Sequence, residues 1–150
     1  MRERQTARVL LLDPEGRILL LKGRLPSDPT APGVWFTVGG GVEAGETLEE
    51  AARREILEET GFVVADVGAV LWRREQRFAN RKGRPVLIKE AFMLARCVGG
   101  EPSREGWVAL EREFVDDIRW WRLDDLSATD EPVYPSDLAL KLAEILETLQ

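Results

Sequence analysis

The chain of 150 residues carries a net charge of −6, with 44% hydrophobic and 32% charged residues, the proportions of a folded globular protein and not of a disordered one. Its length is that of one domain, and such a chain buries enough surface, roughly 68–70% of that exposed when unfolded, to need no disulfide or structural metal. The single cysteine, Cys97, excludes an internal disulfide, and the absence of histidine excludes both the common zinc sites and a Ser-His-Asp triad. An acidic balance argues against a nucleic-acid surface, and an anionic small substrate would need a local positive site or bound cations. The apolar runs Val9–Leu12 and Ile18–Leu21 are too short to span a membrane. Met1–Arg8 is charged and no apolar signal segment follows it, so a cytoplasmic location is expected.

In chain order, Arg8–Leu12 and Arg17–Lys22 are two apolar runs around Asp13-Pro14-Glu15-Gly16, which predicts a β-hairpin with strands covered on both faces. Leu25–Gly33 contains Pro26, Pro29 and Pro32 and reads as a loop leading into a strand over Val34–Val38. A glycine-rich loop follows (Gly39, Gly40, Gly41, Gly45), and then a helix. Thr47 with Glu50 forms a capping box at its start, and Gly61 supplies a left-handed C-terminal cap.

Phe62–Trp72 is expected as a strand, and Arg73–Pro85 as a polar, basic segment. Val86–Val98 returns to strand character. Gly99–Arg112 reads as a loop with room for one helical turn, Asp117–Leu123 as a Trp-rich strand, and Ser136 as the start of a last helix with Leu138, Leu142, Ile145 and Leu149 on one face. This order, β-β-β-α-β-β-β-α, predicts an α/β fold with a mixed sheet between helices and not a regular doubly wound one. Cys97 lies in an apolar stretch and reads as a small buried hydrophobe.

Chemistry concentrates in Gly39–Phe62. On a helix, Glu55, Glu58 and Glu59 occupy positions i, i+3 and i+4, within an arc of roughly 100°. Three carboxylates so placed repel one another. One reading is a solvated acidic face. The other is a ligand site: Arg54 stands four residues before Glu58, ready to orient it, and the glycines let backbone groups approach a ligand. Clustered carboxylates and exposed carbonyls are hard oxygen donors suited to Mg²⁺ or Mn²⁺.

Gly40, Glu46, Arg54, Glu55, Ile56, Glu58, Glu59, Gly61 and Phe62 match the full signature of the Nudix hydrolase family, and the chain resembles that family over nearly its whole length. The resemblance implies a Nudix fold, an α/β/α sandwich on a mixed sheet, formed by one domain over residues 1–150. It implies Mg²⁺- or Mn²⁺-dependent hydrolysis of the diphosphate bond of a nucleoside diphosphate derivative. It gives Glu55, Glu58 and Glu59 the role of metal ligands and Gly39 that of a carbonyl ligand. Arg54 becomes the orienting residue, Glu46 its support, and Glu55 a general base, although some members use a glutamate from a distant loop. Gly40, Gly61 and Phe62 take structural roles.

A further acidic ligand is common in the family. The candidates are Glu90, Glu113, Asp116 and Asp117; Asp117 comes first because it precedes Ile118-Arg119-Trp120, although family members usually carry Glu there. A plain strand-entry carboxylate is the competing reading. Lys22 and Arg24 read as phosphate contacts or as surface charge. Arg73–Arg84 reads as a solvated loop or as a lid. Trp35 and Phe36 could stack on a base, with core packing accounting for at least one of them. Trp120 and Trp121 should face opposite sides of a strand.

The family's proline and tyrosine markers for ADP-ribose and diadenosine polyphosphate hydrolases do not occur at their positions, and the chain is compact. A nucleoside triphosphate or small dinucleotide is therefore favoured, with no nucleic-acid or membrane partner. Homodimers are frequent in the family, which extends that expectation here. Two other classes compete. A catalytically silent nucleotide-sensing module would usually have lost box glutamates. An isomerase of isoprenoid diphosphates would need a cysteine in its pocket, and Cys97 is placed in a strand instead.

Overall fold

The computed structural model describes every residue except 25–27, 29, 81 and 150. Among the described residues the strands are β1 (Arg2–Leu12), β2 (Ile18–Gly23), β3 (Val34–Gly41), β4 (Val67–Ala79), β5 (Pro85–Arg96), β6 (Val115–Trp121) and β7 (Val133–Tyr134). The helices are α1 (Leu48–Thr60), α2 (Ala109–Phe114), α3 (Leu123–Ala128) and α4 (Leu138–Thr148). The strands form one sheet in the order β4-β5-β1-β2-β3-β7, with β6 on β2 and a further β1–β3 pairing. β1 with β5 and β3 with β7 are parallel and the other pairs antiparallel, so the sheet is mixed, as the sequence predicts.

β1 explains why its apolar run is continuous. Ala7, Val9 and Leu11 point to one face and join Ala51, Ala52 and Ile56 of α1. Leu10 and Leu12 point to the other and join Leu138, Leu142 and Ile145 of α4. The turn after β1 is held by Asp13, whose Oδ1 accepts from the backbone N–H groups of Glu15 (3.0 Å) and Arg17 (2.8 Å). The hairpin itself is short. Only Leu12 and Ile18 pair across it; the strands then splay, and β3 runs along Leu20–Gly23 and on along Thr6–Val9.

Several expected boundaries move, each because a pairing partner overrides local composition. β1 begins at Arg2, since Arg2–Thr6 pairs with Val86–Glu90. β3 continues through Gly39–Gly41, so the first part of the expected glycine loop is strand. Residues 62–66 are not strand, whereas the basic segment from Arg73 to Ala79 is the second half of β4, paired with Ala91–Pro85. That half is largely exposed on both faces and therefore lacks an apolar alternation. Two elements, α3 and β7, are additional to the sequence reading. The last helix is capped at Asp137 and ends at Leu149 instead of including it. Of the proline loop expected over 25–33, residues 25–27 and 29 lie outside the described residues.

The start of α1 is as expected. Glu50 N–H donates to Thr47 Oγ1 (3.1 Å) and Thr47 N–H to Glu50 Oε1 (2.9 Å), and Gly61 closes the helix in the left-handed conformation. Thr47→Ala removes one half of this reciprocal cap and is expected to cost about 1 kcal/mol. A urea unfolding curve should show a lower midpoint with an unchanged slope; an unchanged midpoint would mean the cap contributes nothing.

Candidate active site

The site is built where β3 ends against α1. Gly39 N–H donates to Glu59 Oε1 at 2.7 Å, and the Gly41 carbonyl accepts from Arg54 Nη2 at 2.9 Å. Alternate strand residues turn their backbone groups to the same edge, so Gly39 and Gly41 present theirs to the helix. A side chain is excluded by backbone at Gly39 and would displace the Glu55 carboxylate at Gly40. A Cβ on Gly39 would lie 2.1 Å from the Ala7 carbonyl oxygen, and one on Gly40 would lie 2.5 Å from Glu55 Oε1. The carboxylates of α1 therefore rest directly on backbone.

Arg54 organises the acids. Its Nε and Nη2 bind both oxygens of Glu46 (2.7 and 2.9 Å) in a bidentate pair. Its Nη1 reaches Glu55 Oε1 at 2.9 Å and Glu58 Oε2 at 3.4 Å. The hydrogen bond from Arg54, followed by that from the Glu43 backbone, lowers the Glu46 carboxyl to about 2. Arg54 is in turn pushed above its ordinary value, chiefly by Glu46.

Glu55 and Glu59 shift the other way. Burial raises Glu55 despite its bond to Arg54. Glu59 is 3% exposed, and burial followed by the charge of Glu55 raises it well above the ordinary range, against the Gly39 hydrogen bond.

A later segment covers the C-terminal half of α1. Trp107 Nε1 donates to the Glu59 carbonyl (2.7 Å) and Ser103 N–H to the Thr60 carbonyl (2.7 Å). A Cβ on Gly106 would lie 2.6 Å from the Glu58 carbonyl oxygen. This docking brings α2 close enough for the charge of Glu111 to raise both Glu55 and Glu59. Sequence reasoning missed Glu111. Nothing local separates it from Glu105 or Glu113; only the docked Trp107 selects it.

The other expected site residues lie elsewhere. In β6, Val115, Ile118 and Trp120 pack on the α1 side, whereas Trp121 joins the α4 core, so the two tryptophans do face opposite sides. Asp117 is exposed, is the partner of Lys22 in the sheet, and accepts from Ile118 N–H (2.8 Å). By alternation it belongs with Arg119 and Trp121, on the face away from α1.

Asp116 is held by Arg24 (3.0 and 3.1 Å), which also donates to the Glu113 carbonyl (2.7 Å) and stacks over Phe114. Arg24 thus fastens the α2–β6 junction. Lys22 pairs with Glu131 (2.7 Å) and lies over Trp35. Both cations are engaged in ion pairs between elements.

Trp35 is 2% exposed and packs edge-on against Trp121, so it is core and not a stacking platform. Phe36 is half-buried against the α1 cluster, with the Arg8 guanidinium 5.8 Å from its ring centroid. Glu90 is buried on the opposite side of the sheet from α1. Cys97 is half-buried just beyond β5 instead of fully buried, and burial raises its thiol.

Among the described residues, no three acidic, histidine or cysteine side chains converge as they would around a bound cation. Glu59 is turned to Gly39 and Glu55 to Arg54. The chemistry of the donor set nevertheless fits a hard divalent ion. A buried carboxylate with raised proton affinity, a second beside it, a third on the rim and a strand edge carrying the Gly39 carbonyl are all oxygen donors whose mutual repulsion a cation would relieve.

The NUDIX domain model matches residues 2–141. The nucleoside triphosphatase NudI of Klebsiella pneumoniae (strain 342) is 34% identical over 124 residues, covering 80% of this chain and 83% of that one. NudI of Salmonella heidelberg (strain SL476) is 32% identical over 123 residues, with the same coverage. The MutT NUDIX hydrolase from Burkholderia pseudomallei superposes with a TM-score of 0.67 at 26% identity, over 95% of this chain and 98% of that one. The NUDIX domain of Shewanella oneidensis NrtR, complexed with ADP ribose, superposes with a TM-score of 0.69 at 18% identity, over 100% and 90% of the two chains, a likeness of fold. The chain belongs to the Nudix hydrolase family and is a hydrolase acting on phosphoric anhydrides.

The raised carboxyls carry a pH consequence. A carboxyl with a folded pKa above its unfolded value, here 4.5, contributes stability that is fully present below 4.5 and is lost as pH rises through the folded value. Metal-stripped protein should therefore melt at lower temperature as pH rises above about 4.5, and Glu59→Gln should flatten that decline, because the amide keeps an acceptor for Gly39 without the charge. A decline of equal steepness in Glu59→Gln would show that Glu59 is not the strained group.

Proposed function

We propose that this chain is a Mg²⁺- or Mn²⁺-dependent pyrophosphohydrolase that cleaves a diphosphate bond of a nucleoside triphosphate or small dinucleotide. The observation that carries this is the Arg54 cluster, which holds Glu55 and Glu58 beside the buried Glu59 at the Gly39 edge. The NudI relatives, named nucleoside triphosphatases, support the substrate class. A single working domain over residues 1–150 and a homodimer belong to the same proposal.

In this reading Glu55, Glu58, Glu59 and the Gly39 carbonyl hold the cation. Once bound, the cation supplies neutralisation of phosphoryl oxygens and acidification of a water. Glu59 is fixed by Gly39 N–H and cannot swing to solvent. Glu58, on the rim, is kept aligned by Arg54. Glu55 is the assigned general base: held by Arg54 over Gly40, it takes the proton of the attacking water as that oxygen bonds to phosphorus and the leaving phosphate departs. Glu111 is the second candidate for that role. Glu46 keeps Arg54 aimed, so Glu46→Gln should reduce activity through loss of alignment.

The test is a panel of nucleoside triphosphates and dinucleotides with and without Mg²⁺ or Mn²⁺. The expected result is metal-dependent release of phosphate or pyrophosphate, abolished by EDTA and reduced at least about a hundredfold in Glu58→Gln. Turnover surviving both treatments contradicts the mechanism. Tight binding without turnover would make the chain a nucleotide-sensing module instead.

A further inference from the structure

β4 is the outermost strand of the sheet and, among the described residues, pairs only with β5. The irregularities of that pairing lie between Val67 and Trp72, and Arg73–Ala79 runs in unbroken register against Ala91–Pro85. The outer edge of this half therefore presents backbone N–H and C=O groups that no strand of the chain takes up. Phe78, a large aromatic side chain, stands in it 45% exposed.

The side chains divide by alternation. Arg74, Gln76 and Phe78 continue the face of Trp72, which packs toward α4, and Arg73, Glu75 and Arg77 lie on the other face. These last three charges lack partners on the neighbouring strand. Arg73 and Arg77 are opposite Ala91 and Leu87, and Lys89, opposite Glu75, pairs with Glu3 (3.5 Å) instead. None of the three has an ion pair among the described residues. On the α4 side, Arg74 is held by Asp137.

A sheet edge guarded against association carries charge that repels a second strand. This edge interleaves the two signs instead, so an inverted copy can match it. A twofold axis normal to the sheet lays two β4 edges antiparallel and keeps each face on its own side, so every residue meets one of the same face. Few registers are possible. Centred on Glu75, the pairing sets Glu75 against its own copy and Arg73 against Arg77. Centred on Arg73, Arg74 or Arg77, it sets that arginine against its own copy. Centred on Phe78, it leaves Glu75 unmatched within the strand. Centred on Gln76, it sets Glu75 of each copy against Arg77 of the other, and Phe78 against Arg74, diagonal to Trp72. Opposite charges and aromatic contacts directly across strands stabilise a pair, and like charges destabilise it.

We propose that Arg73–Ala79 of β4 is a self-association edge, on which a second copy of this chain pairs antiparallel about Gln76 through Glu75–Arg77 ion pairs and the covering of Phe78. The sheet then continues from one copy into the other. The proposal rests on the homodimer reading and assigns its surface, and it does not depend on turnover.

The experiment is sedimentation velocity of the whole chain across a dilution series. The wild type is expected to be a dimer at about 100 µM and to dissociate on dilution, as a small interface does. Arg77→Glu, at an exposed position, sets like charges against each other twice and should weaken association at least about tenfold. Glu75→Arg combined with Arg77→Glu reverses both partners and should restore association to within about threefold of the wild type. Circular dichroism checks folding; if Arg77→Glu does not fold, Glu75→Arg takes its place. A wild type that stays monomeric at about 100 µM would overturn the proposal and the homodimer with it. A dimer unaffected by the single change, or one that the double change fails to restore, would overturn this edge and leave the homodimer standing. Sedimentation involves no turnover, so the hydrolase reading stands or falls separately, on its own assay.

Discussion

The hydrogen bond from Gly39 N–H to the buried Glu59 carboxylate, at 2.7 Å, fixes the relation between sheet and helix on which the site depends. It can form only because β3 ends in residues without side chains. The same bareness lets Glu55 lie over Gly40 and lets Arg54 reach the Gly41 carbonyl. The helix is thus registered against backbone and not merely packed on apolar side chains, and backbone positions are the least adjustable part of a fold. Ala51, Ala52 and Ile56 supply the burial that presses α1 onto the sheet, while the polar contacts decide its rotation.

Electrostatics then runs in two opposed directions. Glu46 and Arg54 are mutually satisfied, each favouring the other's charged state. Glu55 and Glu59 are under-compensated, and Glu111 adds to their difficulty. One arginine engaged with Glu46, Glu55 and Glu58 cannot neutralise every acid around it. An active site that recruits a cation has this imbalance built in, and the cost is stability in its absence. The Lys22–Glu131 and Arg24–Asp116 pairs belong to a different category, as partly exposed ties between elements, and contribute little energy by themselves.

How much of this was legible in the sequence divides along physical lines. The acidic arc, the Arg54 hub and both caps of α1 were readable because they depend on spacing within one helix. The mixed sheet between helices was readable from the order of elements. The strand ends were not, because pairing partners set them: Arg2–Thr6 and Arg73–Ala79 are polar and become strand only against β5. For Trp35, Lys22 and Arg24 the sequence left two roles open for a related reason. Charge and aromaticity are visible in a sequence, whereas the partner that occupies them, Trp121, Glu131 or Asp116, is brought in by the fold. The side on which Asp117 stands was likewise hidden, since alternation along β6 sets it. Glu111 was invisible because its relevance comes from Trp107 docking on the end of α1.

The central claim is that the carboxylates gathered at the bare edge of β3 form a divalent-cation site. Anomalous diffraction from crystals grown with Mn²⁺ tests it most directly, since the signal locates the ion without any assumption about substrate. The expected result is a peak bounded by the Glu55, Glu58 and Glu59 carboxylates and the Gly39 carbonyl, with Glu55 turned away from Arg54 to meet it. A peak confined to the opposite face, near Asp117 or Glu90, or an α1 edge that remains empty at saturating Mn²⁺, would contradict it.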